Sequence, residues 1–392
     1  MKSIILITFF SLGILSCKKE FTQNPQNYNC SLSFTDSSSA NPNNALYQQL
    51  LNEMVASGVP GISMAVFTAQ QGMWLGVAGK ADLGHNINMQ PCNITRMGST
   101  VKTFTAVTIL KLKEEGLLAL DDKLADHLPA EVWNGIANAG NVSIRQLLQH
   151  SGGLYNYIQN PSFQTASLNN LKRIWQPDEL LQYARGKAAY FNPGDDVRYS
   201  NTGYILLGMV IEKVTGKKFW QVFKEKIFEP LQLNSTSFAA TDPVPAGIIR
   251  GYVDFCGKMQ LTDATYFSGW DYYTADGGLI STPYDLNAFF TSLMSEQLLS
   301  TASMREMLTI KSPVSIDTDF FPIGYGLGIF KVETPWGQAW LHSGDAIGYY
   351  AAMAYFPARQ TTIVWAVNGN YGKIDELVSG KKAMEKIFDT VF

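Results

Sequence analysis

Ser99 and Lys102 stand one helical turn apart in the run Arg96-Met97-Gly98-Ser99-Thr100-Val101-Lys102-Thr103-Phe104-Thr105. A serine hydroxyl is a weak nucleophile at neutral pH and needs a base within hydrogen-bond reach. Residues i and i+3 share a helix face, so the Lys102 amine can approach Ser99 Oγ; serine with lysine is a known variant of the serine–base pair. The spacing alone is common, and Ser16 with Lys19 and Ser379 with Lys382 match it too. Ser99 differs in the element it opens: Val101, Phe104, Ala106, Val107, Ile109, Leu110 and Leu112 follow, and Gly116 ends the run. A helix apolar almost all round is a buried one, able to hold a reactive pair away from water. An ordinary N-cap serine followed by a surface lysine would carry the same letters.

Two further triplets carry chemistry-bearing residues. Tyr199-Ser200-Asn201 follows a Pro193-Gly194 turn, which puts the tyrosine on a loop able to face a cleft. A lysine cation beside a tyrosine favours phenolate. His342-Ser343-Gly344 ends the apolar run Ala339-Trp340-Leu341. A strand edge there could pair with a substrate backbone, and the glycine would let it come close. Taken singly, these triplets also fit a core tyrosine with a turn asparagine, and a core imidazole. Tyr190-Phe191-Asn192 and His150-Ser151-Gly152 repeat the patterns by chance, the latter after a helix and running into Gly153.

The 392 residues, 46% hydrophobic, suffice for one large domain or two fused ones. A net charge of −3 with scattered Lys and Arg gives no basic stripe, so no nucleic-acid partner is expected. No metal constellation appears, and no cofactor is expected. Lys2 precedes an apolar run over 4–16 that is short for a bilayer span and fits a signal sequence. It ends in Ile14-Leu15-Ser16-Cys17, which resembles a bacterial lipobox. That resemblance implies removal of 1–16, a lipid on Cys17, and anchoring in the cell envelope on its periplasmic or surface side. Residues 17–45, rich in Ser, Asn, Gln and Pro, read as a flexible tether. Cys30, Cys92 and Cys256 are an odd number, so at least one has no partner within the chain. Small buried hydrophobes are the default reading for them.

Stepping along the chain, a helix is expected over 45–57, then strands over 62–68 and 73–78 joined by a turn at Gln70-Gln71-Gly72. From 117 to 310 the pattern is mainly helices and long loops, with helices over 144–148 and 203–214. Strand-like runs follow at 325–332, 338–342, 349–356 and 361–367, and an amphipathic helix covers 374–391. Strands at both ends with helices between predict an α+β fold. One antiparallel sheet flanked by helices would assemble from about 46–116 and 311–392, with a mostly helical subdomain, about 117–310, inserted.

In order, Ser-x-x-Lys, Tyr-Ser-Asn and His-Ser-Gly resemble the serine beta-lactamase and penicillin-recognising superfamily, in its class C, DD-peptidase and esterase branch. The segment Val142-Ser143-Ile144-Arg145-Gln146-Leu147-Leu148-Gln149-His150-Ser151-Gly152-Gly153-Leu154 is similar to that family, as are Gly277-Gly278-Leu279-Ile280-Ser281-Thr282 and Tyr325-Gly326-Leu327-Gly328. The resemblance runs from about residue 46 to the end and implies a beta-lactamase/transpeptidase-like fold. By that resemblance Ser99 is the acylated nucleophile and Lys102 its neutral base. Tyr199 shares the proton relay, and Asn201 orients Lys102 and the substrate amide. His342, Ser343 and Gly344 form the third motif, and the backbone N–H groups of Ser99 and Asp345 form the oxyanion hole.

Two departures bear on the substrate. Class C beta-lactamases typically have Lys where His342 stands, and DD-peptidases of this branch often have His. Asp345 stands where such peptidases commonly carry a hydroxyl that helps hold a terminal carboxylate, which an aspartate would repel. The resemblance therefore implies a small-molecule or peptide substrate cleaved by a DD-carboxypeptidase-like or related amide or ester hydrolase. A carboxylesterase, or a D-amino-acid aminopeptidase or amidase whose substrate ammonium pairs with Asp345, are alternatives. A class C-type beta-lactamase, or a non-enzymatic penicillin-binding sensor or scaffold lipoprotein, are the others.

Overall fold

The computed structural model describes residues 28–32, 36–267, 269–315 and 320–392. The signal segment 1–16 and Cys17 lie outside them. The centre is an eight-stranded antiparallel sheet built from both ends of the chain. Its strands are β1 (Gly61–Thr68), β2 (Gly72–Asp82), β3 (Ile87–Asn88), β4 (Ile323–Tyr325), β5 (Phe330–Thr334), β6 (Gly337–Ala346), β7 (Tyr349–Phe356) and β8 (Thr361–Val367), in spatial order β3-β2-β1-β8-β7-β6-β5-β4. The two chain ends meet where β1 pairs with β8, Ile62 opposite Val367.

Alternation along these strands builds two cores, one on each face. Ala352, Ala354, Ile363, Trp365 and Val367 face helix α1 (Asn44–Ala56) and the last helix, α6 (Lys381–Val391). Their neighbours Ala351, Met353, Val364 and Ala366 face α2 (Val101–Glu114), α3 (Asn201–Thr215) and α4 (Pro283–Met294). Although α4 falls within the 117–310 stretch, it lies on the sheet, where Asn287 Nδ2 donates to the Ala65 and Thr362 carbonyls. Phe104 of α2 stacks on Phe289 of α4 at 3.6 Å. The mainly helical part follows α2, and Gly216, at φ +67°, gives α3 the left-handed C-terminal cap that only glycine adopts freely.

Three expected elements differ. The run at 325–332 is not one strand: β4 ends at Tyr325, β5 starts at Phe330, and Gly326-Leu327-Gly328 loops out between them. Gly328 packs on the Lys102 carbonyl with φ +66°, so a side chain there is excluded. The helix over 374–391 breaks at Ser379-Gly380 into α5 (Lys373–Val378) and α6, glycine being a poor helix former. The tether is fastened over part of its length. Tyr28 is buried and donates to Asp82, Ser38 Oγ accepts from Leu75 N, and Cys30 is disulfide-bonded to Cys92.

That bond corrects the reading of the cysteines as small buried hydrophobes: Cys30 is exposed, Cys92 half-buried, and the free Cys256 exposed. The disulfide links residues 62 apart, so breaking it frees a long loop in the unfolded chain. Cys30→Ser is expected to lower unfolding stability by about 2–4 kcal/mol and leave turnover unchanged. A denaturant titration beside a turnover assay checks both.

Candidate active site

The Ser99 turn is locked from three sides. A 3-10 turn, Gly98–Thr100, runs straight into α2, whose residues from Val101 to Leu110 are all buried. Thr103 Oγ1 donates to the Gly328 carbonyl at 2.7 Å and Thr105 Oγ1 to the Ala275 carbonyl at 2.9 Å. These bonds tie the helix to the two glycine-bearing loops noted in the sequence. On the third side lies β6. Its ladder to β5 stops at Leu341, while its ladder to β7 runs on to Ala346. Residues 342–346 thus turn an edge toward Ser99.

Contact there is too close for a side chain. A Cβ at Gly344 would stand 2.2 Å from Met97 O and 2.4 Å from Ser99 N, and a Cβ at Gly98 2.7 Å from Asp345 N. Two glycines therefore let the strand lie on the turn. This brings the backbone nitrogens of Ser99 and Asp345 into one corner, at the start of a helix whose dipole favours an anion.

Within this frame Lys102 Nζ lies 2.9 Å from Ser99 Oγ and 2.6 Å from the Asp276 carbonyl. Ser99 is half-buried, while Lys102 has no solvent contact at all. Burial lowers the Lys102 ammonium from its usual 10.5 to about 8, and the negative charges of Asp276 and Asp271 oppose that fall. A neutral amine is thus accessible near neutral pH, beside the hydroxyl whose proton it would take.

Tyr199, one residue before the Ser200 N-cap of α3, hydrogen-bonds Ser99, and its ring centre is 5.0 Å from Lys102 Nζ. Its phenol is pushed well above its usual value, because burial outweighs the Ser99 hydrogen bond. The expectation that the lysine cation would favour phenolate is therefore corrected: desolvation dominates and favours the protonated phenol. The Pro193-Gly194 turn places it by hydrogen-bonding backward. Gly194 N donates to Ser151 O and Arg198 N to His150 O.

Asn201, the first residue of α3, lines the cavity, but its Nδ2 donates to Asn156 Oδ1 at 3.3 Å. The second partner of Lys102 is the Asp276 carbonyl, not the Asn201 side chain expected to orient it. His342 is buried; Nδ1–H donates to the Ser343 carbonyl at 2.7 Å, which leaves Nε2 as an acceptor with no hydrogen-bond partner. Burial, then the Lys102 charge, lowers this imidazole to about 3, so it is neutral.

A 440 Å³ cavity opens over Ser99, lined among others by Tyr199, Asn201, Trp270, Asp271, Asp276, Phe330, His342, Ser343, Asp345 and Tyr371. Phe330, Leu341, Ile323 and Trp270 give the lining its apolar share. Asp345 reaches solvent at the mouth, yet the dense protein around its carboxyl, then Asp375, push it up to about 6. Tyr371 at the rim holds φ +64°, a conformation costly for a non-glycine residue and typical of functional sites. Among the described residues no group of His, Cys, Asp and Glu could hold a metal ion, and no helix is long and apolar enough to cross a membrane.

Sequence reasoning missed several neighbours. His150, whose letters repeat the third motif by chance, is buried, packs its ring at a tilt against Tyr199 with centres 4.4 Å apart, and accepts from Ser200 N through Nδ1. Its φ of +57°, unusual outside glycine, turns the chain there. Asp271, Asp276 and Tyr157 sit behind Lys102 and carried no motif of their own. The one signal was Gly277-Gly278, which implies a backbone pressed close to something; that something is Asp271, 2.5 Å from a Gly277 Cβ.

Penicillin-binding protein 4* of Bacillus subtilis is 29% identical over 301 residues, 74% of this chain and 64% of that protein. The chain thus spans less than two thirds of that relative's length. A D-stereospecific amidohydrolase from Streptomyces sp. superposes with a TM-score of 0.75 at 29% identity, covering 86% of this chain and 98% of that one. An octameric penicillin-binding protein homologue from Pyrococcus abyssi superposes with a TM-score of 0.73 at 26% identity, covering 88% and 77%. The family described as beta-lactamase matches residues 47–380, most of the chain and all three motifs. This chain, with its antiparallel sheet flanked by helices, therefore belongs to the beta-lactamase family of serine hydrolases.

Proposed function

We propose that the protein hydrolyses amide or ester bonds through an acyl-enzyme on Ser99, and that its substrates carry an amine near the scissile bond. Neutral Lys102 takes the Ser99 proton as Oγ bonds to the carbonyl carbon. The backbone N–H groups of Ser99 and Asp345 hold the developing oxyanion. A proton passes from Lys102 through Tyr199 to the leaving nitrogen or oxygen, whose bond to carbon breaks. Water, activated by the same pair, then releases the acid and restores Ser99.

The 2.9 Å contact of a solvent-free lysine with the serine is the observation that carries the reaction type. The charge of the cavity carries the substrate class. Asp345 stands at its mouth, and among the described residues no Lys or Arg lines it. A substrate carboxylate would meet repulsion there, whereas an ammonium at the mouth would find Asp345. The likeness to the Streptomyces amidohydrolase supports this reading. A carboxypeptidase of the DD type is the second reading, supported by the likeness to penicillin-binding protein 4*.

Steady-state rates on D-aminoacyl anilides, N-acylated anilides and peptides ending in D-alanine separate the readings. Hydrolysis of the first group, lost in Ser99→Ala, is expected. Preference for peptides with a free terminal carboxylate would overturn the substrate assignment. Asp345→Thr is expected to swing kcat/KM from amine-bearing toward carboxylate-bearing substrates by about 10–100-fold, the range of one charge pair at partial exposure. Because Asp345 becomes negative above about 6, KM for amine-bearing substrates is expected to fall as pH rises through that value.

A further inference from the structure

Four ionisable side chains are buried in one region below the cavity: Arg96 is 2% exposed, Lys102 0%, Asp271 3% and Asp276 3%. Charges taken out of water are tolerated only when balanced and hydrogen-bonded. Asp276 is the junction of this group. Its carbonyl accepts from Lys102 Nζ at 2.6 Å and from Ser99 Oγ at 3.4 Å. Its Oδ2 accepts from the buried Tyr157 hydroxyl at 3.2 Å. On one side, Ala275 is bonded to α2 through Thr105; on the other, Gly277 is pressed against Asp271. One residue thus touches nucleophile and base by its main chain and presents a carboxyl behind them by its side chain.

We propose that Asp276 is a positioning residue for the base: its carbonyl fixes Lys102 Nζ beside Ser99, and its carboxylate, held by Tyr157, is the counter-charge to the Lys102 ammonium. The inference rests on Lys102 acting as the base. Of the other groups around the amine only Asp271 adds negative charge, and its influence on Lys102 is smaller than that of Asp276. The rings of Tyr199, just before α3, and Tyr204, within it, offer faces at 5.0 and 5.5 Å, and His342 and His150 are neutral. Burial holds the Asp271 carboxyl up at about 7, and the charge it does carry is drawn on more by Arg96 than by Lys102. Burial raises the Asp276 carboxyl, and the Lys102 charge, Thr274 and Tyr157 draw it back down.

The test is the pH profile of Ser99 acylation by a neutral nitrophenyl ester, followed as the burst in wild type, Asp276→Asn and Tyr157→Phe, with Ser99→Ala as blank. Acylation needs the neutral amine, so the rate rises with pH along a limb set by Lys102. Asp276→Asn removes the charge that favours the ammonium, so the limb moves to lower pH, by about one unit or more. At pH 6 its rate, as a fraction of its own plateau, is then about tenfold that of wild type. Tyr157→Phe weakens the ionised carboxylate and moves the limb the same way by less, which keeps the test open if Asp276→Asn does not fold. A wild-type limb that neither variant moves, with only a uniform loss of rate, would overturn the proposal alone. A flat wild-type profile would overturn Lys102 as base and the proposal with it.

Discussion

Ser99→Ala is expected to cut kcat/KM by about 10⁴–10⁶-fold, the loss typical of removing a covalent nucleophile. The hydroxyl is well placed to form a bond to the substrate: it sits 2.9 Å from Lys102 Nζ and beside the corner formed by two backbone nitrogens. Removing one oxygen from a half-buried residue leaves α2 and its Thr103 and Thr105 anchors in place, so the thermal midpoint should stay near that of wild type. Residual activity above that range, in a folded variant freed of contaminating hydrolase, would mean that water attacks directly.

Lys102→Met is expected to lower acylation by about 10²–10⁴-fold, the usual worth of a positioned general base. Methionine keeps the buried stem and deletes the amine. The folded state holds this ammonium at about 8 against a usual 10.5. A cation so depressed costs stability below that window, and the cost fades as pH rises through it. Methionine removes that cost but also deprives the buried Asp276 carboxyl of its cation, so the variant is expected to stay folded at pH 7 with a midpoint near or somewhat below that of wild type while its activity collapses. Stopped-flow acylation and a melting curve check the two halves. Near-wild-type acylation at both pH 7 and pH 9 would assign the base to another group.

Much of the frame was legible because its signals are local. The apolar helix after Ser99 and the alternating strands at both ends depend on periodicity, and the sheet that joins them follows from burying both faces. What stayed hidden depends on contacts between distant segments. Nothing near Asp276 announces that its carbonyl reaches a lysine 174 residues away. His150 carries the letters of the third motif outside its place in the order, yet its ring packs against Tyr199. Tyr199 itself was found, but the direction of its proton affinity was not, because a motif reveals the neighbouring charge and not the depth of burial. Asn201 was found as well, while its bond to Asn156 in place of Lys102 is a matter of side-chain geometry. The Cys30–Cys92 link escaped for the same reason, since pairing needs two loops to meet in space.

The central claim is the acyl bond on Ser99, and intact mass spectrometry tests it most directly. The full chain is mixed with an activated ester, quenched in acid within the burst, weighed and digested. A mass increase equal to the acyl group, confined to the peptide holding Ser99 and absent from Ser99→Ala, is the predicted result. The same increase on Ser99→Ala, or on a peptide without Ser99 in wild type, would contradict the account.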